Sequence, residues 1–456
     1  MTARDLSAIV KAYDVRGTVP DQLDDEIATA LGAAFARFTG APQIVLARDM
    51  RESGVALSAA FAAGANSQGT SVIDAGLGST DLLYFAAGQL GLPGAMFTAS
   101  HNPARYNGIK LCLAGAAPVG QDTGLATLRD EAQRFLAEGI PAYDGPAGGN
   151  TERELLRDYA AYLKTLVPGL DAIRPLRVVV DAGNGMGGLT VPVVFDGLPL
   201  TTTELFFELD GTFPNHEANP IEPANLRDLQ AAVIAKGADL GLAFDGDADR
   251  CFVVDERGEV VSPSVLTALI AVRELQRVPG STVIHNLITS RVVAEVVTES
   301  GGTPVRTRVG HSFIKAEMAR TGAVFGGEHS GHFYFRDFWN ADSGMLAALH
   351  ALAALGGQAG PLSELLNPYN RYVASGEINS TVTDQAGAVA RIAEHFRGRP
   401  HDELDGLTVD LGEGVWFNVR ASNTEPLLRL NVEGPDEAAM AAARDEVLAL
   451  IRPPSP

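Results

Sequence analysis

The chain has 456 residues, 46% apolar and 20% charged, which is ordinary for a globular protein and, at about 150 residues per domain, enough for three or four domains. Its 35 basic residues face 56 acidic ones, a formal charge of −21, so nucleic acid and anionic lipid are repelled and an anionic substrate must meet a local basic site. Cys112 and Cys251 are the two cysteines, both in apolar runs, which excludes a disulfide scaffold or cysteine metal site and reads as buried free thiols.

Residues 22–38, QLDDEIATALGAAFARF, carry apolar side chains at helical spacing behind a start crowded with Asp21, Asp24, Asp25 and Glu26, as the helix dipole favours. QIVLARDMRESG, SVIDAGLGST and GAMFTASHNP then repeat one design: a short apolar run ending in a Gly-rich or polar loop. Buried strands alternating with helices indicate an α/β domain. The design restarts at 177–188 (RVVVDAGNGMGG), 240–255 (LGLAFDGDADRCFVVD), 281–290 (STVIHNLITS) and 323–335 (AVFGGEHSGHFYF). The tail differs. One helix over 383–397, strands LTVDL, WFNVRAS and LLRLNVEG, and a helix from Asp436 to about Ile451 indicate a small α+β domain with an antiparallel sheet.

The Pro/Gly cluster PAYDGPAGGN marks a first boundary, ahead of the helical TERELLRDYAAYLKTL, and NPYNRYVASGE reads as a linker into the last domain. The expected architecture is three α/β domains over 1–150, 151–257 and 258–369, then an α+β domain over 370–456. No apolar run reaches the roughly 20 residues that span a bilayer, and no secretory h-region opens the chain, so a cytoplasmic protein without membrane, nucleic-acid or obligate protein partner is expected.

Four loops carry chemistry rather than packing. Asp245-Gly246-Asp247-Ala248-Asp249-Arg250 places three carboxylates at alternating positions, which repel unless a cation sits among them, and hard oxygens of this kind suit Mg²⁺. An exposed acidic turn would leave Arg250 and the strand-end setting unexplained. In TASHNPARYNGIK, residues 98–110, Ser100 stands at a strand end with His101, Arg105 and Lys110 nearby. No G-x-S-x-G elbow surrounds it, so esterase chemistry is disfavoured, whereas a phosphoryl group on Ser100 would be stabilised by those cations and an adjacent Mg²⁺. Gly326-Gly327-Glu328-His329-Ser330-Gly331-His332 offers Glu328 and Ser330 to adjacent sugar hydroxyls. Arg420-Ala421-Ser422-Asn423-Thr424-Glu425-Pro426, with Arg429 beyond it, makes a phosphate cradle from arginine, hydroxyls, an amide and turn N–H groups.

Three patterns mislead. Gly183-Asn184-Gly185-Met186-Gly187-Gly188 satisfies G-x-G-x-x-G after a strand, with Glu204 at about the right distance, but a dinucleotide reading would begin in mid-chain and leave the other loops idle. Ser100 and Lys110 are too far apart for S-x-x-K, and the nine histidines form no H-E-x-x-H.

Taken in order, KAYDVRG at 11–17, TASHNPARYNGIK, DGDADR, GEHSGH and RASNTEP resemble the α-D-phosphohexomutase family over nearly the whole chain, and more narrowly its bacterial phosphomannomutase/phosphoglucomutase branch. The resemblance implies four domains around a central cleft, the fourth more mobile. It implies Ser100 as phosphoserine carrier and Mg²⁺ on Asp245, Asp247 and Asp249, with the Ser100 phosphoryl group completing the shell. Sugar hydroxyls go to Glu328 and Ser330, and the distal phosphate to Arg420, Ser422, Asn423 and Thr424. Arg16 and Lys110 would stand by the reacting oxygens, Arg250 at the phosphoserine, and His332 and His311 in the active site. Arg291 is a weaker candidate beside the substrate. GTFPNHEANP, 211–220, matches the loop before the metal-bearing strand.

The implied reaction is reversible conversion of mannose 6-phosphate to mannose 1-phosphate, with glucose phosphates as further substrates, through a hexose 1,6-bisphosphate that also serves as activator. Lys110 is the expected general base or acid, assisted by His332 and Arg16, and that role calls for a lowered pKa from a cationic neighbourhood. The alternatives are a phosphoglucomutase or phosphoglucosamine mutase of the same mechanism, a phosphatase, or a non-catalytic sugar-phosphate binder.

Overall fold

A computed structural model describes residues 5–10, 13–422 and 426–452. They form two compact units, one drawn from Met1–Pro263 and Ser330–Glu364, the other from Ser264–His329 and Leu365–Pro456.

The first unit opens with a six-stranded sheet. Strands β1 (Val15–Thr18), β2 (Gln43–Arg48), β3 (Ser71–Leu77), β4 (Gly94–Phe97), β5 (Tyr106–Cys112) and β6 (Asn150–Glu152) lie in the order β1-β5-β4-β2-β3-β6. Helices α1 (Asp25–Thr39), α2 (Ser53–Ser67), α3 (Thr80–Leu90) and α4 (Leu125–Glu138) connect them. The acidic start of α1 acts as a cap: Asp24 accepts from the Ile27 N–H, and Gly40 closes the helix in the left-handed region. The central strand β2 runs parallel to β3 and β4, and β5 returns antiparallel beside β4, with Lys110 opposite Met96. This return brings the 98–105 loop to one end of the sheet.

The boundary stretch is more ordered than its composition suggests. Residues 150–152 add β6 to the sheet edge through Val72↔Asn150 pairing, which delays helix α5 to Leu156–Leu166. A second sheet follows: β7 (Leu176–Asp181), β8 (Leu200–Leu205), β9 (Leu240–Phe244), β10 (Cys251–Asp255) and β11 (Val260–Val261), ordered β11-β10-β9-β7-β8, with helices α6 (Gly187–Phe195) and α7 (Arg227–Lys236). Strands β9 and β10 are antiparallel, Phe244 facing Cys251, so the Asp-rich loop is the tip of a hairpin between two fully buried strands.

The second unit begins with α8 (Pro263–Arg277), β12 (Thr282–Asn286), α9 (Arg291–Glu299), β13 (Thr303–Thr307), α10 (His311–Thr321) and β14 (Phe325–Gly327); β12 is central and parallel to both neighbours. The chain then returns to the first unit as the antiparallel pair β15 (Phe333–Phe335) and β16 (Ala341–Asp342) and the almost wholly buried helix α11 (Gly344–Gly356).

After α12 (Leu362–Leu366), the second unit closes with β17 (Val373–Thr381), α13 (Gln385–His395), β18 (His401–Asp402), β19 (Leu407–Gly412), β20 (Val415–Ala421), β21 (Leu427–Gly434) and α14 (Glu437–Ile451). The sheet is antiparallel throughout, ordered β17-β21-β20-β19-β18, and its apolar face meets Ala388, Ile392, Met440 and Val447 of α13 and α14. The supposed linker NPYNRYVASGE therefore ends in a strand. Val373–Thr381 has too little hydrophobic alternation to announce itself, because its pattern is half-exposed and a register shift interrupts it between Ala374 and Glu377.

Among the described residues no helix is long and apolar enough to cross a membrane. Both cysteines are buried thiols outside any disulfide.

Candidate active site

Strand β4 delivers the chain to Ser100, which is 4% exposed and adopts φ +49°, a left-handed conformation uncommon for a residue with a side chain. Its hydroxyl donates to Oδ2 of Asp245 at 2.7 Å and lies 3.1 Å from Nδ1 of His101. The two loops can approach because residue 246 is glycine: a Cβ there would stand 2.5 Å from the Ser100 carbonyl oxygen.

Asp245, Asp247 and Asp249 are each at most 1% exposed and offer oxygens that all lie within 4.8 Å of one another. Arg250 folds back on the first, its backbone N–H donating to Oδ1 at 3.1 Å and Nε to Oδ2 at 2.8 Å. Asp247 Oδ2 accepts from Thr80 Oγ1 at 2.6 Å and Lys110 Nζ at 2.8 Å, and Asp249 Oδ2 accepts from the same ammonium at 2.6 Å. Oδ1 of Asp247 and Oδ1 of Asp249 are buried with no hydrogen-bond partner. Neighbouring carboxylates that each keep a free oxygen fit a hard divalent cation, which takes oxygen ligands. Electrostatics agree: burial, with Asp249 and Asp247 alongside, pushes the Asp245 carboxyl up to about 7 despite Arg250. Burial also opposes ionisation of Asp247, but the Lys110 ammonium overrides it and holds that carboxyl well below the usual range.

Two expectations about the cations change. Lys110 does not stand in a cationic neighbourhood. Burial pushes its pKa down, but Asp247 and Asp249 prevail and hold it well above the usual lysine range. His101 is not a cation: burial, then Arg250 and Arg16, push its pKa far down, and Nδ1 receives an N–H from Arg250. Arg105 is exposed and lies over the Tyr106 ring at 5.3 Å.

Arg16, on β1, donates to Oδ1 of Asn102 at 2.7 Å and to Asp14 at 2.6 Å, which sets it against the serine loop. His332 arrives through a single antiparallel bridge with Arg250; its Nε2 is 3.6 Å from Oδ1 of Asp249 and its Nδ1 2.9 Å from the Ser330 hydroxyl. The first unit thus gathers Ser100, His101, Lys110, Arg16, Arg250, His332, Ser330 and the three aspartates. The Gly-rich stretch 183–188 supports the same place, since Met186 N–H donates to the Gly246 carbonyl at 2.9 Å and a Cβ on Gly185 would stand 2.6 Å from that oxygen.

The other candidates belong to the second unit. Glu328, 3% exposed, accepts from Asn286 Nδ2 at 3.1 Å and from the Gly310 N–H at 3.3 Å, just before His311 opens α10. Arg291 opens α9: its N–H donates to Glu433 at 3.1 Å, and its guanidinium donates to Asp410 at 3.4 Å beside a cavity of about 480 Å³ that His285, Arg306 and Trp416 also line. Arg420 and Arg429 sit opposite each other on β20 and β21 and share Glu377 of β17. Ser422 donates its N–H to Leu427 O at 2.8 Å; Asn423 and Thr424 lie outside the described residues.

Three further residues were not singled out from sequence. Thr80 binds Asp247 through its hydroxyl and, at 3.0 Å, through its N–H to the Asp247 carbonyl. Arg51 holds the serine loop, and Glu377 holds the two arginines. The one available signal was a polar cluster at a strand end, ARDMRESG and GLGST, which turn chemistry alone accounts for equally well.

Comparison with known proteins covers nearly the whole chain. Models of phosphoglucomutase/phosphomannomutase match in four segments: α/β/α domain I at residues 7–134, domain II at 157–258, domain III at 262–372 and the C-terminal domain at 377–450. The chain is 42% identical over 452 residues to phosphohexose mutases of Xanthomonas campestris pv. campestris, covering 97% of this chain and 98% of that one. It is 40% identical over 456 residues to a phosphomannomutase of Salmonella montevideo, again covering 97% and 98%. A crystal structure of a phosphoglucomutase/phosphomannomutase family protein from Burkholderia thailandensis superposes with a TM-score of 0.87 at 32% identity, covering 98% of both chains.

Proposed function

Because the chain belongs to the phosphoglucomutase/phosphomannomutase family, we propose that this phosphohexose mutase interconverts mannose 6-phosphate and mannose 1-phosphate, and also glucose phosphates, through phosphoserine at Ser100. The observation that carries this reading is the Ser100 hydroxyl, 2.7 Å from Asp245 and beside Asp247 and Asp249, each of which keeps a buried oxygen without a hydrogen-bond partner.

Phosphorylated Ser100 gives its phosphoryl group to the free hydroxyl of a hexose phosphate: the Ser100 Oγ–P bond breaks as the sugar O–P bond forms, and the hydroxyl proton ends on the released Ser100 oxygen. The resulting hexose 1,6-bisphosphate turns around, and its other phosphoryl group returns to Ser100. Added hexose 1,6-bisphosphate primes a serine that has lost its phosphate.

Asp245, Asp247 and Asp249 would hold Mg²⁺. When bound, Mg²⁺ supplies charge neutralisation beside the phosphoryl group. The chain's own residues do the rest. Arg250, 4% exposed and anchored on Asp245, contributes fixed positive charge at the serine. Lys110 serves the reacting oxygens as general acid or base, assisted by His332 and by the fixed charge of Arg16. His101 orients the serine side chain through its Nδ1, 3.1 Å from the Ser100 hydroxyl. Burial of Ser100 keeps water from the phosphoserine, as a mutase but not a phosphatase requires.

Glu328, Ser330, His311 and Arg291 serve sugar recognition, and Arg420, Ser422, Asn423, Thr424 and Arg429 hold the distal phosphate. In the four-domain division at 1–150, 151–257, 258–369 and 370–456, these roles fall to the last two domains. The enzyme works in the cytoplasm on small hexose phosphates and needs no nucleic acid, membrane or obligate protein partner.

The test supplies mannose 1-phosphate, glucose 1-phosphate and glucosamine 1-phosphate separately, with Mg²⁺ and a hexose 1,6-bisphosphate, and follows 6-phosphate and free phosphate together. Comparable kcat/KM for the first two without phosphate release is the expected result. Exclusive turnover of glucosamine 1-phosphate would overturn the substrate and keep the mechanism. Free phosphate as main product, or no turnover, would overturn the mutase reading.

A further inference from the structure

Arg51 lies three residues past β2 and is 2% exposed. A guanidinium presents five N–H donors in a rigid planar fork. Here the fork is spent on one loop and one carboxylate. Nη2 donates to the carbonyls of Ser100 at 2.8 Å and Asn102 at 2.6 Å, and Nη1 to those of Pro103 at 3.0 Å and Tyr106 at 2.9 Å. Nε donates to Oδ2 of Asp49 at 3.2 Å, and Oδ1 of Asp49 accepts the Arg51 N–H at 2.9 Å, so the arginine is itself held from behind. The Phe213 ring covers the guanidinium at 5.1 Å.

Four carbonyls converging on one cation is not ordinary loop packing. Residues 98–105 make no strand or helix; the Pro103 carbonyl accepts the Tyr106 N–H of its own turn, whereas the Ser100 and Asn102 carbonyls take their donors from Arg51. The loop also contains Ser100 in its left-handed conformation, which persists only where the surroundings over-determine it. Arg51 bonds the Ser100 carbonyl while the Ser100 hydroxyl turns to Asp245. With its donors committed to backbone and Asp49, Arg51 does not reach for the phosphoryl group.

We propose that Arg51 is a positioning residue that presets the Ser100 loop for phosphoryl transfer; this rests on Ser100 being the phosphoryl carrier. In the step it serves, the sugar O–P bond of a hexose 1,6-bisphosphate breaks as the P–Oγ bond to Ser100 forms, and the serine proton leaves for the released sugar oxygen. Displacing the nucleophile by about 1 Å costs such a step on the order of 10²-fold. Lysine cannot replace the fork, because a single ammonium nitrogen does not span four carbonyls.

The test compares wild type, Arg51→Lys and Asp49→Asn as full chains with Mg²⁺. Three quantities are read: single-turnover transfer of labelled phosphoryl from glucose 1,6-bisphosphate to the protein, KM for hexose 1-phosphate, and hydrogen exchange of peptides 98–107 and 240–255. For Arg51→Lys the expected result is transfer slowed about 10²-fold, KM nearly unchanged, and faster exchange confined to 98–107. Asp49→Asn, which loosens the hold on the guanidinium, gives a smaller change of the same pattern and carries the test if Arg51→Lys does not fold. Wild-type transfer rates in a folded Arg51→Lys or, should that variant not fold, in Asp49→Asn, overturn the proposal, as does exchange that rises equally in 240–255. Failure of wild type to take up label on Ser100 instead overturns the phosphoserine reading.

Discussion

Thr80 donates through Oγ1 to Oδ2 of Asp247 at 2.6 Å, and its N–H donates to the Asp247 carbonyl at 3.0 Å. A residue at the start of α3 therefore orients a carboxylate 167 positions away and leaves Oδ1 of that carboxylate free. Replacing Thr80 with valine keeps the shape and removes the hydroxyl. Loss of such an outer partner typically weakens metal binding about 10- to 100-fold. Mn²⁺ binding followed by electron paramagnetic resonance should weaken in Thr80→Val and recover in Thr80→Ser. Equal affinity in valine variant and wild type would remove Thr80 from the metal site.

Lys110 is the counter-charge of two buried aspartates at 2.8 and 2.6 Å. Lys110→Met should lower kcat by about 10²- to 10⁴-fold if Lys110 handles a proton or charge at the reacting oxygens. Leaving the carboxylates uncompensated should cost the metal-free protein on the order of 3 kcal/mol. Mg²⁺ should restore much of that stability and none of the turnover. Thermal unfolding with and without Mg²⁺, beside steady-state kinetics, separates the two effects; near-normal turnover refutes the assignment.

Glu377 accepts from Arg420 and, at 3.2 Å, from Arg429, so one carboxylate on β17, beside β21 and one strand removed from β20, aims both arginines. Glu377→Gln keeps the shape and removes the charge. If Arg420 and Arg429 hold the distal phosphate as proposed, poorer aim costs about 1–2 kcal/mol, so KM for hexose phosphates should rise about 10-fold while kcat changes little. A variant that binds substrate more tightly would mean that Glu377 competes with phosphate rather than positioning its partners.

His216, in the loop before the Asp-rich hairpin, places Nε2 3.0 Å from Oδ2 of the buried Asp181 and Nδ1 2.9 Å from the Glu217 carbonyl. Burial pushes its pKa down, but the Asp181 hydrogen bond and charge outweigh burial and raise it above 6.5. A raised folded pKa stabilises most below the unfolded value, and the gain disappears as pH rises through the folded value. The Tm difference between wild type and His216→Gln should thus be largest below pH 6.5 and shrink toward alkaline pH. A difference that grows with pH contradicts the pairing.

The strand-and-loop design was legible because buried strands advertise themselves as apolar runs, and the ends of β4 and β9 lead directly into the serine and aspartate loops. β17 was not legible: a half-exposed strand with a register shift lacks the alternation that betrays a strand. The surroundings of Lys110 were misread for a related reason. Its sequence neighbours His101 and Arg105 suggest positive charge, but antiparallel pairing of β5 beside β4 sets it against Asp247 and Asp249, 137 and 139 residues later.

From sequence alone came the chemistry available at each loop: a hydroxyl at a strand end, three alternating carboxylates, a Glu/Ser pair among glycines, and an arginine with hydroxyls. These are local properties, set by residue type and spacing. Which loop serves which was decided by tertiary structure. Sheet order and register brought Ser100 to Asp245, Thr80 to Asp247, Glu377 to two arginines, and the fork of Arg51 to the back of the serine loop. Hydrogen bonds and charge act over a few ångströms, so partners distant in sequence become partners only once the strands have paired.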